Sequence, residues 1–158
     1  MSHEQNKKNN TKRYVFLTIT ILCTLFIYSN SLMSGAVSAL HSDFVLSVIH
    51  RLAVRIGRNP DRITSLFVRK SAHFLQFAVL GFFATMTARV WYDGLKNRVF
   101  MILFWGLFVS VTDEFLQRFV EGRVGSVNDI VIDFAGYTAG TVSCLILIFI
   151  YNQMIKNE

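Results

Sequence analysis

The chain has 158 residues, two cysteines, one proline, fifteen phenylalanines and a formal net charge of +6. Hydrophobic residues make up 53% and charged residues only 16%, where soluble domains carry about 25% charged residues. These figures exclude a disordered chain, which needs low hydrophobicity and high charge, and a disulfide scaffold, which needs a dense cysteine framework.

Residues 1–13 hold four basic side chains and one acid and read as a solvated tail. Residues 14–28 (YVFLTITILCTLFIY) carry no charge, and residues 14–33 together reach the roughly 20 mostly apolar residues of a membrane-spanning helix. A signal peptide is the competing reading, because basic residues precede the run and small residues follow at Gly35 and Ala36. The apolar run sits at the long limit for such a peptide and later segments are also membrane-like, so a retained anchor is expected.

Residues 36–57 differ. Val37, Leu40, Phe44, Val48 and Leu52 recur at helical spacing, and Arg51, Arg55, Arg58 and Arg62 follow at similar intervals before Asn59-Pro60. This pattern predicts a basic amphipathic helix at a membrane surface. An extramembrane helix packed on a bundle is the alternative. Three more apolar segments cover residues 72–92, 99–116 and 127–151. In lipid each must satisfy its own backbone polar groups, which makes them helices. Trp91, Tyr92 and Tyr151 fall at segment ends, where interfacial aromatics concentrate. The expected fold is all-α: a polytopic membrane helical bundle with four transmembrane helices plus one amphipathic interfacial helix. Polar tails at 1–13 and 152–158 flank a single transmembrane domain at 14–151.

The polar residues inside the spans are not scattered. In a chain crossing four times, the second span starts on the side where the third ends and the fourth starts. Lys70 and His73 open the second span, Asp113, Glu114 and Gln117 close the third, and Asp129 and Asp133 open the fourth. Asp113 lies about 21 Å of helix beyond Val99, or roughly 9 Å inside a 30 Å hydrocarbon slab. Ionisable groups at such depth face the bundle interior and pair with one another. A pocket is therefore expected, lined by Lys70, His73, Asp113, Gln117 and Asp129, with Asp133 one turn further in and Glu114 and Arg123 near its mouth.

Within that set His73, Asp113 and Glu114 are the candidate catalytic groups, with His73 and Asp113 handling protons. Adjacent helical residues point about 100° apart, so Asp113 and Glu114 do not form one dyad. Glu114 has a helix-end ion pair with Arg118 as its structural alternative. Lys70, Gln117, Arg123, Asp129 and Asp133 are candidate binding groups, with Arg123 suited to clamp an anion. Ser126 and Asp129 have capping-box spacing, which gives Asp129 a structural reading too. His73 has one as well: a hydrogen bond to a buried carboxylate such as Asp113. Gly81 and the Gly136-x-x-x-Gly140 pair read as helix-packing positions. Cys23 and Cys144 read as inert packing residues. His3, His41 and His50 lack partner spacing.

No zinc, P-loop, nucleophile-elbow or dinucleotide motif occurs. No metal and no cofactor is assigned, since ligands drawn from His73, Asp113, Glu114 and Asp129 have no diagnostic spacing. The sixteen Lys and Arg divide eight and eight between the two membrane faces, so no single basic patch supports nucleic-acid binding. That equality also silences the positive-inside rule, and the basic flank of the first span decides. Both termini are expected in the cytoplasm and the pocket outside, in a multi-pass membrane protein.

RKSAHFLQFAVLGF resembles the K-x-x-H-x-x-x-[YF]-x-x-x-G segment of VanZ-like membrane proteins, through Lys70, His73, Phe77 and Gly81. TDEFLQRFVEGRVGSVNDIVIDFAGYTAG resembles that family's second signature, through Asp113, Glu114, Gln117, Phe119, Arg123, Ser126, Asp129, Gly136 and Gly140. Ser29 and Ser31 match a weaker serine-rich feature. Asp133 stands where relatives often carry Asn, and Glu121 where they carry Pro or a small residue. The resemblance spans roughly residues 14–150. It implies a bacterial multi-spanning membrane protein, in a family whose namesake is linked to teicoplanin resistance, but it supplies no reaction.

The function expected is that of a VanZ-like cell-envelope protein contributing to glycopeptide tolerance. Its outward pocket binds or modifies an anionic partner, a membrane lipid headgroup or a lipid-linked wall precursor. A non-catalytic membrane protein whose polar cluster locks the helices is the rival class. A small transporter with a proton relay is the third, and it needs polar residues continuing to the other face. The runs CLILIFIY and VFMILFWGLF oppose such a path.

Overall fold

The computed structural model describes residues 3–57, 59 and 63–156, with side chains from residue 10 onward. Arg58, Pro60 and Arg62, and the side chains of His3, Lys7 and Lys8, lie outside the described residues. The chain forms five helices: α1 (His3–Ser31), α2 (Gly35–Arg55), α3 (Ser65–Trp91), α4 (Leu95–Gln117) and α5 (Val127–Lys156). Among the described residues there is no strand.

By length and composition all five helices are able to cross a membrane, α2 included, so composition alone does not single out four spans. Two expected boundaries shift by more than five residues, while α4 starts four residues early at Leu95 and α5 runs five residues on to Lys156, into the expected tail. The basic tail is helical from His3 onward, because nothing between it and the apolar run breaks a helix. α3 starts at Ser65, seven residues before the expected 72, with Thr64 Oγ1 accepting the Phe67 N–H at 3.2 Å. Lys70 and His73 therefore sit within the helix rather than at its lip.

α3 is the centre of the bundle, and α5 is its most extensive partner. The two run parallel with their backbones in contact. A Cβ at Gly136 would overlap the carbonyl oxygen of Phe74, one at Gly140 that of Ala78, and one at Gly81 that of Tyr137. Glycine is what permits this approach, which recurs where membrane helices associate without a hydrophobic drive. Thr85 Oγ1 adds a 3.2 Å hydrogen bond to Thr141 Oγ1 across the seam. Phe77, Leu80, Val109, Tyr137 and Ile27 fill the interior.

Most phenylalanines face the other way. Phe100, Phe104 and Phe108 stack along the exposed face of α4. An outward ladder of large apolar rings suits a hydrocarbon solvent and not water. At one end of the bundle, Tyr14 packs edge-on against Trp91, Trp91 Nε1 donates to Arg13 O at 3.1 Å, and Arg13 Nε donates to Val90 O at 2.8 Å.

At the opposite end α1 and α4 finish and α3 and α5 begin. Both halves of α2 are held near that end. The Gly35 N–H donates to Glu121 O in the α4–α5 connection at 3.0 Å. His50 Nε2 donates to Ile63 O, two residues before α3, at 3.2 Å. This gives His50 a partner that its sequence spacing did not suggest.

Candidate functional site

The site starts with the capping of α5. Ser126 Oγ accepts the Asn128 N–H at 3.2 Å. A capping box would turn Asp129 back onto the Ser126 N–H. That N–H instead donates to Glu114 Oε2 at 2.8 Å. A carboxylate from α4 takes the reciprocal role and leaves Asp129 free. Asp129 then pairs with Lys70 Nζ at 2.5 Å, tying α5 to α3. Two expectations for Glu114 are corrected here. It is buried rather than at the mouth. Among the described residues it forms no ion pair with Arg118. The Ser126 backbone N–H and the Gln117 side-chain amide satisfy its two oxygens instead.

Asp113 is fully buried. Ser31 Oγ, at the end of α1, donates to its Oδ1 at 2.6 Å, and Gln117 Nε2 donates to its Oδ2 at 3.0 Å. Gln117 Nε2 also donates to Glu114 Oε1 at 3.2 Å. The one-turn spacing of Asp113 and Gln117 thus produces a chain of contacts linking α1, α4 and the start of α5. Of the two serines in the serine-rich feature, Ser31 enters this network, whereas Ser29 only bonds its own helix at Phe26 O.

His73 meets two carboxylates. Its Nδ1 lies 3.7 Å from Asp133 Oδ1 and 3.9 Å from Asp113 Oδ2. Neither is a direct hydrogen bond, so the expected His73–Asp113 bond is replaced by a three-cornered gap. Asp133 lies one turn beyond Asp129 on the same face of α5 and is only 1% exposed. Its Oδ2 is buried with no hydrogen-bond partner. The ligand atoms of His73, Asp113 and Asp133 all lie within 4.8 Å of one another. For a metal, the ligand set drawn from the sequence is half replaced. Glu114 and Asp129 are engaged elsewhere, and Asp133 stands in the gap.

A polar cavity of about 220 Å³ opens beside this gap, lined by Lys70, His73, Glu114, Gln117, Asp129 and Asp133 among others. A second cavity, of about 520 Å³, lies between α1, α2 and α3 and has mostly apolar walls, including Phe26, Val45, Ile49, Phe67 and Leu75. Arg69, His73 and Arg123 line both cavities. Arg69 was missed as a site residue because it counted only as one of eight basic groups on its side. Its signal was spacing: it sits four residues before His73 on the same helix face.

Arg123 comes from the α4–α5 connection. Its Nη2 donates to Asn30 O at 3.1 Å, while its buried Nε has no partner. Burial, and then the neighbouring Arg69, lower its pKa from the usual guanidinium value, against the pull of Asp113 and Glu114. A guanidinium still keeps its charge, so Arg123 brings a cation with one unpartnered donor to the wall shared by the two cavities.

The remaining buried polar residues among those described are Thr20, Thr24, Ser42, Thr85 and Ser110. Each bonds a carbonyl one turn back in its own helix. Cys23 and Cys144 are free thiols, half-buried and buried.

No curated protein and no solved structure is significantly similar to the chain. A family model described as VanZ/LLP1 matches residues 14–149, which contain every helix-borne group of the site. The chain belongs to the VanZ/LLP1 family.

Proposed function

We propose that this chain is an envelope membrane protein with four spans, with α2 lying along the surface at the pocket end. The contacts of Gly35 and His50 support that placement, since a crossing α2 would carry its far half about 30 Å away from α3's start. The termini are assigned to the cytoplasm and the pocket to the outer face.

The pocket takes an amphiphile with an anionic head, either a phospholipid or a lipid-linked wall precursor. One observation carries this reading: the apolar cavity and the polar cavity share Arg69, His73 and Arg123 as a common wall. An acyl chain fits the first, and an anionic head meets the two arginines and Lys70 at the second. Sequestering such a component is a route to the glycopeptide tolerance associated with the family's namesake. The Ser31–Asp113–Gln117–Glu114–Ser126 chain favours a second, structural role for the carboxylates of α4, as a lock between α1, α4 and α5.

The test is lipid retention. The detergent-purified full chain, exchanged into micelles doped with either phosphatidylglycerol or phosphatidylcholine, should retain the anionic lipid preferentially. Arg123→Ala and Arg69→Ala should abolish the preference. Equal retention of both lipids, unchanged by either substitution, overturns the reading.

A further inference from the structure

We propose that His73, Asp113 and Asp133 form a binding site for one divalent transition-metal ion. The inference goes beyond the amphiphile reading and does not depend on it.

Geometry comes first. Three potential ligand atoms from three different helices lie within 4.8 Å of one another, and His73 Nδ1 is 3.7 and 3.9 Å from the two carboxylates. These separations are too long for hydrogen bonds. They are near what an ion held at about 2.0–2.2 Å from each ligand requires, with modest inward movement. The neighbouring cations have other partners. Lys70 is committed to Asp129, and Arg123 Nη2 to a backbone carbonyl.

The second observation is independent of the first. Asp133 is 1% exposed, and its Oδ2 has no hydrogen-bond partner. A buried carboxylate oxygen left unpaired is costly unless something positive satisfies it. Two buried carboxylates beside one neutral imidazole are balanced in charge by a divalent cation. A protonated histidine alone balances one of them, and the second then falls to the Arg123 guanidinium, which also attracts Glu114.

The surroundings complete the case. Ser31 and Gln117 each donate to Asp113, orienting it as outer groups orient a ligating carboxylate. Three protein ligands leave coordination positions open, which is the pattern of reactive rather than structural sites. His73 and Asp133 line the polar cavity, from which water or an oxygen of an anionic ligand would complete the shell. One imidazole and two carboxylates suit zinc, manganese or iron(II). They do not suit copper(I), which prefers sulfur.

The experiment uses the full chain in lipid-free detergent micelles after chelator treatment. Zn²⁺ and Mn²⁺ are titrated in competition with a chelating dye, and Co²⁺ is used as a spectroscopic probe. The expected result is a single ion per chain. Affinity should fall more than about a hundredfold in Asp133→Asn and in His73→Gln, because even outer-shell changes cost roughly 10–100-fold. Ser31→Ala should fall in that outer-shell range, and Ser143→Ala, on an exposed face of α5 that bonds only its own helix, should bind as the parent does. The Co²⁺ spectrum of the unsubstituted protein keeps the test decisive if a variant fails to fold. Absence of ion binding by that protein overturns the proposal, as does binding unaffected by both ligand substitutions. Lipid retention measured in excess chelator fails or succeeds separately, so the two readings are distinguishable.

Discussion

Gly136→Ala tests the seam that holds the site together. The new methyl would meet the backbone carbonyl of Phe74, the residue next to His73. A side chain could rotate away, but a helix backbone cannot, so α3 and α5 must separate. Overpacking costs about 1–3 kcal/mol, and a backbone contact places this case near 3. Replacing a mid-helix glycine with alanine returns about 1 kcal/mol of helix propensity. The net loss is therefore about 2 kcal/mol, or roughly 30-fold in the folded-to-unfolded ratio. Asp133 lies one turn before Gly136, so the same separation pulls it from His73 and weakens metal binding. Equilibrium unfolding in mixed micelles, titrated with SDS, measures the stability change. Ala135→Leu, one residue away on the exposed face, should stay within about 0.5 kcal/mol of the parent. Equal stability of Gly136→Ala and the parent would refute the argument, as would an equal loss in Ala135→Leu.

The remaining predictions separate the parts of the polar network. Ser31→Ala removes a hydrogen bond to a buried carboxylate and should lower stability by about 1.5–3 kcal/mol in the same unfolding titration. Lys70→Met breaks a partly exposed ion pair, so its stability change should stay below about 1 kcal/mol, while retention of anionic lipid drops. Glu114→Gln keeps an acceptor for the Ser126 N–H but loses the one for the Gln117 amide, and should cost less than Glu114→Ala. Glu114→Ala strands that N–H and should lose about 1–3 kcal/mol. A cysteine at exposed Val124 should react with a membrane-impermeant thiol reagent on intact cells, and one at Asn97 should not. The reverse pattern would invert the assigned orientation.

The helices and the gathering of polar groups at one end were readable from the residues. Apolar runs of spanning length force helices in lipid, and alternate crossing brings the start of α3, the end of α4 and the start of α5 to one side. Lys70, His73, Asp113, Gln117, Asp129 and Asp133 meet there as their positions required. Glu114 shows where such reading stops. Its spacing to Arg118 and its place near a helix end suggested an exposed pair, yet it caps α5 from within the bundle.

Periodicity assigns a residue to a helix face but not to a partner. Partners depend on how far each helix is rotated about its axis and how closely the axes approach. For α3 and α5 the glycine contacts set both quantities, and they bring Asp133 within 3.7 Å of His73. The tertiary structure alone decided that Asp129 belongs to Lys70 and Glu114 to Ser126, leaving Asp133 beside His73 with its Oδ2 lacking a hydrogen-bond partner. It also placed α2 beside the cavities, because an amphipathic sequence of spanning length is compatible with either a surface or a crossing position. The residues by themselves determined a membrane bundle with a polar end. The close packing of helices determined which of those polar groups remain free to bind.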